Sequence, residues 1–139
     1  MATITKFEEL EIWQLARELA NEIFELFSNS EQFSRDYKLK DQINGSSGSV
    51  MDNIAEGFER SGRNVPIAIG IINFLTFSKG SAGEVKSQLY RALDRKYISL
   101  EQFNHLYEKT DLIGKKTGSF INYLNSSPHK GNKFKNRKN

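Results

Sequence analysis

The chain has 139 residues, a length that suits one domain with a substantial buried core. It contains no cysteine, which excludes disulfides and thiolate metal sites. No apolar run reaches the ~20 residues that a membrane-spanning helix needs. Residues 1–9 also lack the apolar stretch of a signal peptide. We therefore expect a cytoplasmic protein with no membrane partner.

The net charge of +3 is unevenly distributed along the chain. Residues 126–139 carry five basic residues and no acidic one, so the remaining body has a net charge of −2. We divide the chain into a body at 1–125 and a basic, disordered tail at 126–139. The tail has two interpretations: a solvated extension, which is the commoner case, or a contact for a polyanion such as RNA. The candidate nucleic-acid-binding residues are Lys130, Lys133, Lys135, Arg137 and Lys138.

The first predicted helix runs from Leu10 to Ser28. Apolar residues recur there at gaps of three and four, which is the helical period. Trp13 lies on this apolar stripe and is interpreted as a core anchor. A polar loop is predicted at 29–34. The stripe consists of Trp13, Ala16, Leu19, Ala20, Ile23, Phe24 and Phe27.

The second predicted helix runs from about Arg35 to Phe58 and crosses a segment that resembles a linker. Residues 44–49 are Asn-Gly-Ser-Ser-Gly-Ser, and each glycine inside a helix costs about 1 kcal/mol relative to alanine. The apolar phase nevertheless continues unchanged across this segment, which favours a helix whose small residues let a neighbouring helix approach closely. The stripe consists of Leu39, Ile43, Ser47, Val50, Ile54 and Phe58.

The third predicted helix runs from about Val65 to Lys96, after a turn at 59–64. Gly57 and Gly62 can supply the positive φ that such a turn needs. A second small-residue seam occurs at 80–83, where the sequence is Gly-Ser-Ala-Gly. The apolar stripe is predicted to contain Ile69, Ile72, Phe74 or Leu75, Phe77, Val85, Leu89 and Ala92.

The fourth predicted helix follows a corner at 96–98. Ser99 and Gln102 have the spacing of a capping box. Four helices with short connections and no strand pattern predict an all-α, antiparallel, up-down-up-down four-helix bundle. The fourth helix has a strict heptad seam at Phe103, Leu106, Thr110, Ile113, Thr117, Phe120 and Leu124.

Polar residues beside the small-residue seams form the candidate site. Asn53 and Glu56 lie three residues apart, hence on one helix face, and are predicted to face Ser81, Glu84 and Gln88 on the third helix. Hydrogen-bonded polar groups between helices can fix helix pairing and register. We favour a structural or subunit-interface role for these five residues. Partner binding comes second, and acid–base catalysis is the weakest alternative.

No constellation for catalysis or cofactor binding is found in the sequence. Neither His105 nor His129 belongs to a Glu-x-x-His pair, because Gln102 and Ser126 precede them at that spacing. No phosphate-binding loop occurs, and no nucleophile has an identifiable base. We therefore expect a protein that is not an enzyme and that uses no cofactor, metal or small-molecule substrate.

The sequence resembles a bacterial family of four-helix bundles, first noticed as reading frames in intervening sequences of large-subunit rRNA genes and formerly labelled ribosomal. The accessory variability proteins of diversity-generating retroelements are similar. The resemblance spans roughly residues 7–124, and its most specific part is Asn-Ile-Ala-Glu-Gly at 53–57. The other matching segments are 10–16, 42–43, 49–50, 74–75, 80–81 and 97–98, with Glu84 and Gln88.

This resemblance implies an antiparallel bundle that assembles as a ring-like homopentamer. The retroelement relatives bind nucleic acid and a reverse transcriptase through basic surfaces. This chain departs from the family in having Asn44 and Gly45 where basic residues are common, and Met51 where proline is usual. We therefore expect a non-catalytic oligomeric scaffold or interaction protein. The alternative is an accessory protein that binds RNA or a nucleoprotein.

Overall fold

The computed structural model describes residues 4–61 and 67–126. Within these ranges the chain is helical and contains no strand. A 3₁₀ turn at Phe7–Glu9 precedes five α-helices, which are α1 (Glu11–Ser28), α2 (Glu31–Arg35), α3 (Tyr37–Arg60), α4 (Ile67–Asp94) and α5 (Leu100–Asn125).

The four long helices form a four-cornered bundle. Each packs against the next in the order α1, α3, α4, α5, and α5 closes against α1. Cross-helix pairs give the directions, because residue numbers rise on one helix as they fall on its neighbour. Ser78 and Arg91 of α4 bond to Val50 and Gln42 of α3. Lys79 and Lys86 of α4 lie against Gly118 and Asp111 of α5. Lys109 and Lys116 of α5 bond to Glu18 and Glu11 of α1. The predicted antiparallel bundle is therefore confirmed.

The helical phase across residues 44–49 is also confirmed. α3 is continuous from Tyr37 to Arg60. The Ser46 and Ser47 hydroxyl groups donate hydrogen bonds to backbone carbonyls about one turn earlier in α3, which satisfies these polar groups inside the helix. All six residues of the predicted stripe are buried, namely Leu39, Ile43, Ser47, Val50, Ile54 and Phe58.

Two phenylalanines that were predicted to lie in the core are exposed. Phe24 on α1 is 55% exposed and Phe77 on α4 is 60% exposed. Ser78, next to Phe77, takes the core position instead, whereas Ile23, which was also on the predicted α1 stripe, is buried as expected. In α4 the buried seam uses small residues, and its spacing is a regular alternation of four and three. It consists of Ile71, Leu75, Ser78, Ala82, Val85, Leu89 and Ala92.

The segment predicted to be a loop at 29–34 contains the short helix α2. Ser30 caps it by accepting a hydrogen bond from the Phe33 backbone N–H at 3.2 Å. The Phe33 ring is fully buried and stacks on Tyr97, with ring centroids 5.3 Å apart. Burial of the Phe33 side chain therefore anchors α2, which connects α1 to α3. Asp36 then caps α3.

The glycines do not play the predicted roles. Gly57 lies inside α3 with a negative φ, so the prediction that it forms a turn is wrong. It sits where α3 and α4 approach closely, because a Cβ on Gly57 would lie 2.7 Å from Phe74 Cβ. Nothing comes within 4 Å of an added Cβ at Gly45, Gly48, Gly80 or Gly83. No other helix of the described chain approaches these seam glycines closely, whereas the seam serines do contact the neighbouring helix. Gly62 lies outside the described residues.

The predicted capping box at the start of α5 is confirmed. The Ser99 side chain accepts from the Gln102 backbone N–H at 3.0 Å, and the Gln102 side chain accepts from the Ser99 N–H at 2.8 Å. The corner before it closes with Lys96 in the left-handed conformation, at φ 64°. The N–H groups of Lys96 and Tyr97 bond back to the carbonyls of Leu93 and Ala92, which is the hydrogen-bond pattern of a Schellman motif.

Candidate functional site between α3 and α4

Ser49 is the centre of a polar chain that joins α3 to α4. The Asn53 amide donates to the Ser49 carbonyl at 2.9 Å and to its hydroxyl at 2.8 Å. The Ser81 hydroxyl, on α4, donates to the Ser49 hydroxyl at 2.9 Å. Nearby, the buried Ser78 hydroxyl donates to the Val50 carbonyl at 2.7 Å. These small side chains hold α3 and α4 in one register.

A shallow groove of about 560 Å³ lies over this seam and is called the α3–α4 groove. Gln88 is 91% buried at its edge, and its Oε1 atom has no hydrogen-bond partner in the described part of the chain. Arg91 spans the groove by donating to Gln42 Oε1 at 2.9 Å. The groove is lined by Asp41, Gln42, Gly45, Ser46, Ser49, Glu84, Ser87, Gln88 and Arg91.

The five predicted site residues separate into two groups. Asn53 and Ser81 meet through Ser49, which the prediction did not include, and Gln88 lies along the same groove. Glu56 is exposed and forms an ion pair with Arg60 at 3.0 Å, one turn along α3. Glu84 is exposed as well and lines the groove. The two carboxylates therefore lie outside the hydrogen-bonded chain.

The seam between α1 and α5 differs at its surface, where charged and hydrogen-bonded side chains join the two helices. Glu22 Oε2 lies 2.6 Å from Lys109 Nζ, and Glu22 Oε1 lies 2.6 Å from His105 Nε2. Lys109 Nζ also contacts Glu18 at 2.8 Å. Burial raises the pKa of Glu22, but the hydrogen bonds from Lys109 and His105 outweigh burial and hold the pKa below its ordinary value. His105 is thus engaged by an acid on α1.

The groove offers little of what catalysis requires. The Ser49 hydroxyl accepts hydrogen bonds from Asn53 and from Ser81, and among the described residues no histidine or lysine lines the groove to act as a base for either serine. Among residues 4–61 and 67–126, no three His, Asp or Glu side chains cluster as metal ligands. No helix in these ranges is long and apolar enough to cross a membrane. The basic tail residues Lys130, Lys133, Lys135, Arg137 and Lys138 lie outside the described residues.

Comparison with known proteins gives the family. A family model described as 23S rRNA-intervening sequence protein matches residues 8–119. The chain belongs to this family. The match spans α1, α3 and α4 and most of α5, so it covers the α3–α4 groove. None of the curated proteins matches the chain. The similarity to retroelement accessory proteins stays a prediction, since no comparison tests it.

A solved structure has the same fold. It is a protein of unknown function from the S23 ribosomal protein family of Bacteroides thetaiotaomicron VPI-5482, with 24% sequence identity and a TM-score of 0.70. The similarity covers 79% of this chain and 97% of that chain. At this level of identity the similarity establishes the bundle architecture. No function passes from that protein to this one.

Proposed function

We propose that the protein is a non-catalytic helical scaffold that self-associates through the α3–α4 groove. The observation that carries this proposal is the buried and unpaired Oε1 atom of Gln88. An unsatisfied buried acceptor costs about 1–3 kcal/mol, and a shift of the Gln88 side chain toward a donor on a second copy would remove that cost. The cysteine-free composition fits a cytoplasmic location.

The groove surface supports close contact with another helix. Gly45, Ser46, Ser49 and Ser87 line it, and an added Cβ at Gly45 would meet nothing within 4 Å. Small side chains let a second backbone come near the groove floor, beside Gln88 at the groove edge. Family resemblance implies a homopentamer, which is the assembly state that we propose.

Light scattering and native mass spectrometry of the full chain test self-association. We expect an assembly at micromolar concentration for the unmodified protein. Gly45→Leu places a large side chain in the groove without clashing inside its own chain, so it should produce folded monomers. Gly80→Leu is the matched control, because Gly80 is also an exposed helical glycine with nothing within 4 Å, yet it does not line the groove. A monomeric unmodified protein, or equal assembly of both variants, would contradict the proposal.

RNA or nucleoprotein binding is the second candidate function. The observation that favours it is the tail, where five basic residues occur among 14 without an acidic residue. Binding driven by phosphate contacts must weaken steeply as salt rises. Titration with a structured RNA at low salt, using the full chain and a variant with all five basic residues changed to glutamine, tests this function. If RNA does not bind, or binds the variant equally well, the result would count against RNA binding through the tail.

A further inference from the structure

A basic groove lies on the other side of α4, where α4 packs against α5. It has a volume of about 260 Å³ and is called the lysine groove. It is lined by Lys79, Ala82, Gly83 and Lys86 from α4 and by Thr110, Asp111, Gly114 and Lys115 from α5. Its charge differs from that of the body, which is negative outside the tail.

One carboxylate orders two of the three ammonium groups in the lysine groove. Asp111 Oδ1 lies 2.8 Å from Lys86 Nζ, and Asp111 Oδ2 lies 3.1 Å from Lys115 Nζ. Lys79 has no acidic partner among the described residues. Three lysines against one aspartate leave a local excess of two positive charges. Asp111 therefore positions the cations and neutralises only one of them.

The groove floor is open to a ligand backbone. Gly83 and Gly114 both line it, and an added Cβ at either would meet nothing within 4 Å. The Lys79 stem passes over Gly118, with Cε 3.3 Å from the position of an added Cβ there. The groove thus has a low floor between two lysines on α4 and one lysine on α5. That shape suits a thin, flexible polyanion better than a broad duplex.

An exposed aromatic side chain continues the groove at one end. Lys79, Lys86 and Tyr90 fall on one face of α4 and span about 16 Å at 1.5 Å per residue. Tyr90 is 49% exposed and is supported from below by Phe103 and Tyr107, at centroid distances of 4.8 and 5.7 Å. Lys86 Nζ lies 4.9 Å from the Tyr107 ring centroid, so the cationic and aromatic parts are continuous.

We propose that the lysine groove binds the phosphate backbone of a single-stranded nucleic acid, with one base stacked on Tyr90. Lysine ammonium groups would contact successive phosphates, and the exposed aromatic face would accept any base without reading sequence. An acidic peptide would satisfy the lysines but would leave the aromatic face unused. The site depends on neither self-association nor the tail, and so it goes beyond the proposed scaffold.

Fluorescence anisotropy with a labelled 20-nucleotide polyuridine tests this assignment on the full chain. Lys79→Gln/Lys115→Gln removes two groove charges, and Lys38→Gln/Lys40→Gln removes two charges from α3 as the matched control. Each lost phosphate contact lowers the slope of log affinity against log salt by about 0.7 for single strands, so the groove variant should lose about 1.4. At 50 mM salt this corresponds to a loss of about ten- to a hundredfold in affinity. The control should bind like the unmodified protein.

Tyr90 variants test the aromatic part separately. Tyr90→Phe keeps the ring and should bind like the unmodified protein, whereas Tyr90→Leu should weaken polyuridine binding by about fivefold or more. Inorganic polyphosphate, which has charge but no bases, should bind both variants equally. Equal polyuridine binding by the two variants would overturn the assignment to nucleic acid.

Three other results would contradict the proposal that the lysine groove binds nucleic acid. They are an unmodified protein that does not bind polyuridine at 50 mM salt, equal losses in the groove and control variants, and binding that disappears when only the tail is neutralised. Mass measurements on the same samples show whether the protein still self-associates when nucleic-acid binding is lost. An intact assembly without groove-dependent binding would refute only the lysine groove.

Discussion

Gly57 offers the sharpest test of the packing between α3 and α4. It lies inside α3 and faces α4 at close range. A Cβ added there would lie 2.7 Å from Phe74 Cβ, 3.4 Å from Phe74 Cγ and 3.6 Å from the Ile71 carbonyl oxygen. Phe74 Cβ is attached directly to the backbone, so no side-chain rotation removes the overlap. Gly57→Ala therefore requires the two helices to move apart.

Two opposing effects set the magnitude for Gly57→Ala. Alanine stabilises a helix interior by about 1 kcal/mol relative to glycine. Overpacking in a close helix contact costs about 1–3 kcal/mol. The net effect should lie between roughly neutral and about 2 kcal/mol destabilising. Gly80→Ala has the same propensity gain with nothing within 4 Å, so it should stabilise by about 1 kcal/mol.

Urea denaturation followed by circular dichroism measures both glycine variants. It must be repeated at several protein concentrations, because self-association stabilises the folded state by mass action. The informative quantity is the difference in unfolding free energy between Gly57→Ala and Gly80→Ala, which we expect to be about 1–3 kcal/mol. If both variants are stabilised equally, α4 does not approach Gly57 as closely as described here.

Variants at three further positions test other parts of the bundle by urea denaturation. Asp36→Ala removes the α3 cap and the 2.8 Å hydrogen bond from Tyr97, and should destabilise the protein by about 2–3 kcal/mol. Asp36→Asn can still cap α3, so it should destabilise the protein less. Lys96→Gly relieves the left-handed backbone at φ 64° and should stabilise by about 1 kcal/mol, so a lower midpoint would contradict this reason. Glu22→Gln tests how stability depends on pH. The pKa of Glu22 in the folded protein lies below its ordinary value of 4.5. Its pairing with Lys109 therefore stabilises the fold above pH 4.5, and this stabilisation is lost as the pH falls through the folded pKa. The gap in stability between Glu22→Gln and the unmodified protein should close in acid, and a gap independent of pH would refute the linkage.

Helical periodicity predicted the bundle because a buried stripe must keep one phase over many turns. α3 shows this most clearly. Residues 44–49 look like a linker by composition, yet Ile43, Ser47 and Val50 keep the apolar face continuous, and the structure buries all three. Propensity acts on each residue separately, whereas tertiary packing acts on the whole stripe. Packing prevailed because α1 and α4 cover that face.

The sequence was less informative wherever small residues occupy the core. A search for large apolar residues selects Phe77, but the seam of α4 passes through Ser78 and Ala82. The same difficulty affects the candidate site. Glu56 has the spacing to face α4 with Asn53, yet Arg60 lies one turn along α3 and pairs with Glu56 at the surface. The spacing of residues within one helix does not show which other residues a side chain contacts or how far it is exposed to solvent.

The two proposed surfaces lie on different sides of α4 and can be occupied together. At 3.6 residues per turn, Glu84, Gln88 and Arg91 centre about 150° away from Lys79, Lys86 and Tyr90 around the helix. A copy seated in the α3–α4 groove would therefore leave exposed the lysine groove of the protomer that it binds. An assembly would present several lysine grooves to one strand.

This arrangement makes avidity depend on assembly. A long strand that reaches two lysine grooves binds the second at a high effective concentration, so affinity should rise steeply with oligonucleotide length. Gly45→Leu should abolish that rise while leaving the affinity of a short oligonucleotide, which reaches one groove, unchanged. Anisotropy with polyuridines of 8 and 40 nucleotides measures both quantities. A length dependence that persists in monomeric Gly45→Leu would show that the grooves do not act together.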